Sequence, residues 1–143
     1  MALNTYLHLK VAGIDVPGSV TQSGRVGQIE VNSFEWSFDS SGKLGEVKFT
    51  SDLDKATVPI GQALKSQAAV DAVFDFWTPS NTGAESLYFK LHGKNGKVTS
   101  VNLWQLNNND PNLMRYATTM EYTMSFAAVD ETWMADSTTV TIP

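Results

Sequence analysis

The apolar residues of this chain recur mostly at every second position, and one stretch breaks the rule. In QIEVNSFEWSF, residues 28–38, Ile29 and Val31 share one parity, whereas Phe34, Trp36 and Phe38 share the other. Successive side chains of a strand point to opposite faces, so a strand with one apolar side buries both sets only by bulging, twisting or changing sheets. Ser33 marks the expected turnover, and the stretch is the expected corner between two sheets.

The same alternation predicts the other strands. Over 5–11, Leu7, Leu9 and Val11 are expected inward, with Tyr6, His8 and Lys10 outward. Residues 13–27, with Pro17, Gly18, Ser19 and Gly24, read as a long surface loop, and 39–45 as a compact turn. In 46–53, Val47, Phe49 and Leu53 share one face. In 70–77, Phe74 and Phe76 oppose Val73 and Trp77. Residues 87–91 place Leu87, Phe89 and Leu91 inward. Asn95-Gly96 then gives the strongest short hairpin signal in the chain, so 98–106 is expected to return beside 87–91. Residues 115–129 read as one long strand with Tyr116, Met120, Tyr122, Met124, Phe126 and Ala128 in a row, and 137–143 as a short β-prone tail.

A single segment carries a helical pattern, at about 57–68. Thr57 suits a cap, Pro59 is tolerated in a first turn, and Ile60, Ala63 and Leu64 fall on one face, though Gly61 weakens it. Asp54 is expected to serve the start of this helix as a cap or dipole partner. The helix should lie over an open end or edge of the sheet.

At 143 residues the chain reads as one domain spanning 1–143, large enough for its own core. Only 17% of its residues are charged, which leaves uncharged surface for contact with other subunits. A net charge of −5 argues against general binding to nucleic acid, where phosphates need a basic face. With no cysteine, disulfides, thiolate metal sites and cysteine nucleophiles are excluded. The opening MALNTYLHLKVAG lacks a basic segment followed by an apolar run, and no stretch approaches the roughly 20 apolar residues that span a bilayer. Synthesis in the cytoplasm without membrane insertion is therefore expected, with any export proceeding without a cleaved signal.

Reactive chemistry is hard to assemble. His8 falls on a polar strand face and His92 beside a glycine turn, neither near a nucleophile or a second ligand, so surface histidines are the better reading of both. Asp52 with Asp54 is too little for a metal site, and GKNGK lacks the strand, glycine spacing and helix of a phosphate loop. No catalytic residue, metal ligand or cofactor site is expected. The four tryptophans suit packing better than sugar stacking. Opposite the row from Tyr116 to Phe126 lie small residues, among them Thr119, Thr123 and Ser125, which would let another sheet or subunit approach; these are the candidate subunit interface.

Three segments, in order, resemble one family. IEVNSFEWSF is similar to the I-x-V-x-S-F-x-W strand of the haemolysin-coregulated proteins (Hcp), the tube subunits of type VI secretion systems. FTSDLDKATVPIGQAL resembles that family's F-T-x-x-L-D-x-A-S-P-x-L segment, and MSFAAVDETW its closing strand. By position, Ile29, Val31, Ser33, Phe34 and Trp36 match the signature strand, and Leu53, Asp54, Ala56 and Thr57 match the start of the helix. The resemblance implies a mainly β fold: a closed β-barrel of two packed antiparallel sheets with one short flanking α-helix. It implies self-assembly as homohexameric rings that stack into a tube. A contractile sheath propels that tube, with baseplate and spike proteins as further partners, and some members hold effector proteins in the lumen. None of the matched residues is catalytic in the family.

Two departures stand out. The connection from Phe38 to Val47 is much shorter than the extended loop of many members, and HGKNGK, residues 92–97, is either an inserted hairpin or a wide bulge, the hairpin being the expectation. The alternatives to the secretion tube are a tail-tube protein of a phage-like contractile particle and a monomeric carbohydrate-binding β-sandwich.

Overall fold

The computed structural model describes residues 4–20, 26–38, 44–79, 85–105, 109–110, 118–135 and 137–142. The chain opens with β1 (Asn4–Val11) and turns at once into β2 (Ile14–Val16), with Leu9 opposite Val16 and Val11 opposite Ile14. The turn has Ala12 and Gly13 both at positive φ, 51° and 81°, the geometry of a two-residue hairpin turn. The expected loop over 13–27 therefore begins with a strand that the run of polar and turn residues concealed. Leu7 and Leu9 are buried as expected. Tyr6 is also buried, at 4% exposure, although it points outward, because the sheet flanks it on both sides with Glu30 and Asp75.

The expected corner is present. β3 (Ile29–Val31) pairs with β1, and β4 (Ser33–Glu35) pairs with the next strand, β5 (Val47–Asp52). The break falls at Asn32, one residue before the expected turnover. Beyond it, Ser33 stands opposite Thr50 and Phe34 opposite Phe49, while Asn32 still donates its N–H to Thr50 O at 2.7 Å. Ile29 and Val31 are buried against one sheet, and Phe34 and Trp36 pack on the same core from the other. Phe38 forms an isolated bridge to Leu44, lies 5.3 Å from the Trp36 ring and is exposed; the compact turn expected over 39–45 falls largely outside the described residues.

Leu53, expected inward, is 58% exposed. β5 ends at Asp52, and the chain turns toward α1 (Thr57–Ser66), so the alternation no longer governs it. The helix buries Ile60 and Ala63, one turn apart, with Ala56 just before it. Pro59 sits in the first turn, where its missing N–H would have had no intrahelical partner. Gln67, left-handed at φ 56°, ends the helix, its N–H on Ala63 O. The helix packs against the strand running from Glu85, beside the β1–β2 hairpin.

β6 (Val70–Pro79) pairs antiparallel with all of β1 through its residues Val70 to Trp77, and on its other side with β7 (Glu85–Trp104). β7 is one continuous strand of 20 residues, so Asn95-Gly96 makes no hairpin, and 98–104 extends the strand instead of returning. Val70 stands opposite Gly96 and Ala72 opposite Gly93, so β7 carries one residue more than β6 across this step. That is a β-bulge, which bends a strand and raises its twist. Past the bend, β7 leaves β6 and pairs with β8 (Thr119–Ser125).

β8 bends at the same level. The expected single strand over 115–129 is β8 followed by β9 (Ala128–Trp133), with Phe126 and Ala127 between; 115–117 lie outside the described residues. β8 pairs with β5 and the last part of β7, whereas β9 pairs with the first part of β7. Parity flips here as it does at Asn32. Met120, Tyr122, Met124 and Phe126 are buried as expected, but Val129, not Ala128, continues the core. β10 (Thr138–Ile142) completes the fold by pairing with β9.

Hydrogen bonding runs in the order β2-β1-β6-β7-β8-β5-β4, with β3 on β1 and β9 with β10 on β7. The ladder does not close on itself among the described residues. The circuit from β5 back to β1 passes through the covalent corner between β4 and β3. One core fills the space inside, and an aromatic cluster ties its walls together: Phe34 lies 4.8 Å from Phe74 and 5.3 Å from Phe76, and Phe49 lies 5.3 Å from Phe74 and 5.2 Å from Tyr122.

Candidate functional site

The signature residues build the corner and the helix start, not a reactive centre. Ile29, Val31, Phe34 and Trp36 serve the core, while Ser33 is exposed with its hydroxyl 2.6 Å from that of Thr50. Asp54 does not cap the helix, whose N-cap is Ala56 with no side-chain cap bond; its carboxylate accepts the N–H of Ala56 at 2.8 Å and that of Ser19 at 3.1 Å, which fastens the loop after β2 to the segment leading into the helix. Thr57 does not cap. It is the first helical residue, and its hydroxyl accepts the Asp54 N–H and takes the Tyr122 hydroxyl at 3.1 Å. Burial pushes the Tyr122 phenol up, so it remains a neutral donor.

On the face made by β1, β6, the first part of β7 and β9, several acids and bases meet within the chain, while Lys10, opposite Asp15 and Asp71, forms no ion pair among the described residues. His8 Nε2 lies 3.3 Å from Asp15, Lys90 3.8 Å from Asp75, and Lys94 is paired with Asp130. Burial pushes the Asp75 carboxyl up, against the pull of Lys90 and His8. The hydrogen bonds from Lys94 and Thr141 hold Asp130 below the usual carboxylate range. His8 and His92 both flank Val73 in one row across the sheet and line a shallow hollow with Lys10 and Asp71.

The face made by β4, β5, β8 and the end of β7 is different. Cross-strand register sets Ser33, Thr50, Glu121 and Asn102 in one row, and Glu35, Lys48, Thr123 and Ser100 in the next. Small hydroxyl side chains dominate. Glu35 and Lys48 stand opposite each other, yet neither they nor Glu121 forms an ion pair among the described residues. The three candidate interface residues share this face. Thr119 and Ser125 are half-buried, and Thr123 is only 7% exposed, with the Thr99 hydroxyl 3.1 Å from its carbonyl oxygen. Sequence reasoning passed over Glu121 and Lys48 as members of this face. Glu121 shares parity with Thr119 and Thr123, so the signal was present on β8; Lys48 needed the strand pairing.

No group of three or more residues able to hold a metal ion occurs among the described residues, and no helix there is long and apolar enough to cross a membrane.

Among the described residues the chain is a β-rich shell with one helix, two broad outer faces and one core. Solved structures of this architecture match the chain over nearly its whole length. A mutant of Hcp1 from E. coli EAEC 042 matches with TM-score 0.83 at 23% identity, over 98% of this chain and 97% of that one. The secreted protein Hcp3 from Pseudomonas aeruginosa matches with TM-score 0.84 at 13% identity, over 98% and 97%. Hcp1 from Salmonella typhimurium matches with TM-score 0.79 at 20% identity, over 99% and 92%. At these identities the likeness is one of fold. No curated protein matches the chain by sequence. The family model described as "Type VI secretion system effector, Hcp" matches residues 6–133. The chain belongs to the Hcp family, the tube proteins that type VI secretion systems export.

Proposed function

We propose that this protein is a non-enzymatic subunit of the inner tube of a type VI secretion apparatus, folded as a single domain and assembled as homohexameric rings. The rings stack inside a contractile sheath, built on a baseplate and tipped by a spike, and leave the cell with that spike after synthesis in the cytoplasm. Effector proteins ride in the lumen. In this reading the corner at Asn32 completes a barrel that hydrogen bonds alone leave open.

The observation that carries the proposal beyond family membership is the make-up of the face formed by β4, β5, β8 and the end of β7, where small hydroxyl side chains surround charges that find no partner among the described residues. Surface ions left without partners at close quarters are solvated in a monomer but become available when a second molecule arrives. Glu35, Lys48 and Glu121, set among small hydroxyl side chains that allow close approach, suit a face turned to other molecules of the assembly. Thr119, Thr123 and Ser125 lie on that face and are proposed as subunit contacts. A head-to-tail contact of this kind closes into a ring when its rotation permits.

Sedimentation velocity and electron microscopy of the purified protein test this. Six-fold rings are expected. Monomers persisting at high concentration would overturn the ring assembly, and absence of the protein from culture supernatant in cells with a working sheath would overturn export.

A further inference from the structure

The bend in β7 leaves one residue outside the ladder. Lys94 stands opposite Ala128 and Gly96 opposite Val70, but Asn95 has no partner in β6, β8 or β9. Its N–H is taken instead by Asp71 Oδ1 at 3.0 Å, its φ is 53°, and its exposed side chain takes no hydrogen bond among the described residues. The residue after it is glycine, so no Cβ crowds the amide nitrogen that follows the asparagine side chain.

The geometry points to Asn95–Gly96 as a site of spontaneous deamidation set in the bend. The Gly96 nitrogen, its proton lost to hydroxide, bonds to the side-chain carbonyl carbon of Asn95. The bond from that carbon to Nδ2 breaks, and ammonia leaves with a proton from water. Water then opens the five-membered imide at either carbonyl. One product is aspartate; the other is an isoaspartyl link, in which the main chain runs through the former side chain. The balance is asparagine plus water giving the acid plus ammonia.

Neither product suits its surroundings. Aspartate sets a second carboxylate beside Asp71, the group that holds the Asn95 N–H. The isoaspartyl link lengthens the main chain by a carbon next to Gly96, where even an added Cβ would lie 2.3 Å from the Phe126 ring and 2.5 Å from Ser125 O. Modification therefore loosens the corner that β7 and β8 share, whether or not rings have formed. Asn32, also followed by a small residue, is held: its Nδ2 donates to Asp52 Oδ1 at 2.9 Å and its N–H to Thr50 O.

The test is peptide mapping, with isoaspartate detection, of the purified full chain aged at mildly alkaline pH, beside the same chain unfolded in urea. Because Asn95 itself is exposed and lies outside the ladder, it is expected to convert within about tenfold of its unfolded rate, and Asn32 far more slowly than its own. The aged protein should melt below the fresh one, whereas Asn95→Gly, which tolerates the positive φ, should age without that loss. Protection of Asn95 by about a hundredfold in the folded chain would overturn the inference. So would an equal loss of melting temperature in aged Asn95→Gly.

Discussion

Phe126 has a seat because Gly93 and Gly96 present no side chain beneath its ring. A Cβ on Gly96 would meet both the ring and a backbone oxygen, whereas the nearest atoms to one on Gly93 are those of the ring, at 2.6 Å. Gly96→Ala is therefore expected to cost more than the about 1–3 kcal/mol typical of overpacking, and Gly93→Ala to fall within that range, read from urea midpoints. In a Phe126→Ala background the Gly93→Ala cost should nearly vanish, since the two share one contact. Trp36 is a different case: its indole packs half-buried against the core, but its buried Nε1 has no hydrogen-bond partner among the described residues. Trp36→Phe keeps the apolar contact and removes an unsatisfied donor, so it should change stability by less than about 1 kcal/mol in thermal melts.

Two aspartates on one face carry opposite pH signatures. Burial raises the Asp75 carboxyl in the folded state, so the native protein binds its proton more tightly than the unfolded chain. Stability from this group falls as pH rises from the ordinary carboxylate value through the raised one, and the penalty persists above it. Asp75→Asn should therefore raise the melting temperature at neutral pH and lose that advantage in acid. Asp130 is lowered by its bonds from Lys94 and Thr141, so its stabilisation is present above the ordinary value and lost as pH falls through the lowered one. Asp130→Asn should lower the melting temperature at neutral pH and converge with wild type in acid. Melts across pH separate the two; parallel curves for both variants would contradict the assignment.

At the scale of elements, the fold is decided at its two bends. The chain changes sheets at Asn32 and again at Phe126–Ala127, and β7 bends alongside the second. The first bend was legible because both of its apolar sets survive in one short stretch. The second was hidden, since Tyr122, Met124, Phe126 and Ala128 keep one parity straight through it and only Val129 reveals the flip. Asn95-Gly96 misled for a related reason: both residues favour unusual backbone, and a bulge uses that freedom as readily as a hairpin turn does. On β8, Thr123 is already covered within the chain, so Ser125 gives the cleaner assay of contact between copies. Ser125→Arg is expected to weaken ring formation in sedimentation while leaving the circular dichroism spectrum and melting temperature close to wild type.

For the molecule as a whole, strand β7 belongs to both walls of the core, and the cluster of Phe34, Phe49, Phe74 and Tyr122 spans them. Neither wall has a core of its own to retain once the other leaves. Urea unfolding of the dissociated protein should accordingly be one transition, with tryptophan fluorescence and far-ultraviolet circular dichroism coinciding. Separated transitions would show that the two walls are distinct units.

Local chemistry was enough to read the strand-rich class, the helix expected near 57–68 and found at Thr57–Ser66, and the corner before Phe34, because each rests on side chains close together in the chain. Which acids meet which bases, why Tyr6 is buried on an outer face, how β7 bends over Phe126, and which charges stay unpaired beside Thr123 depended on strands brought together from distant positions. Periodicity says which residues share a face of one strand. Only pairing register says what stands beside them on the next.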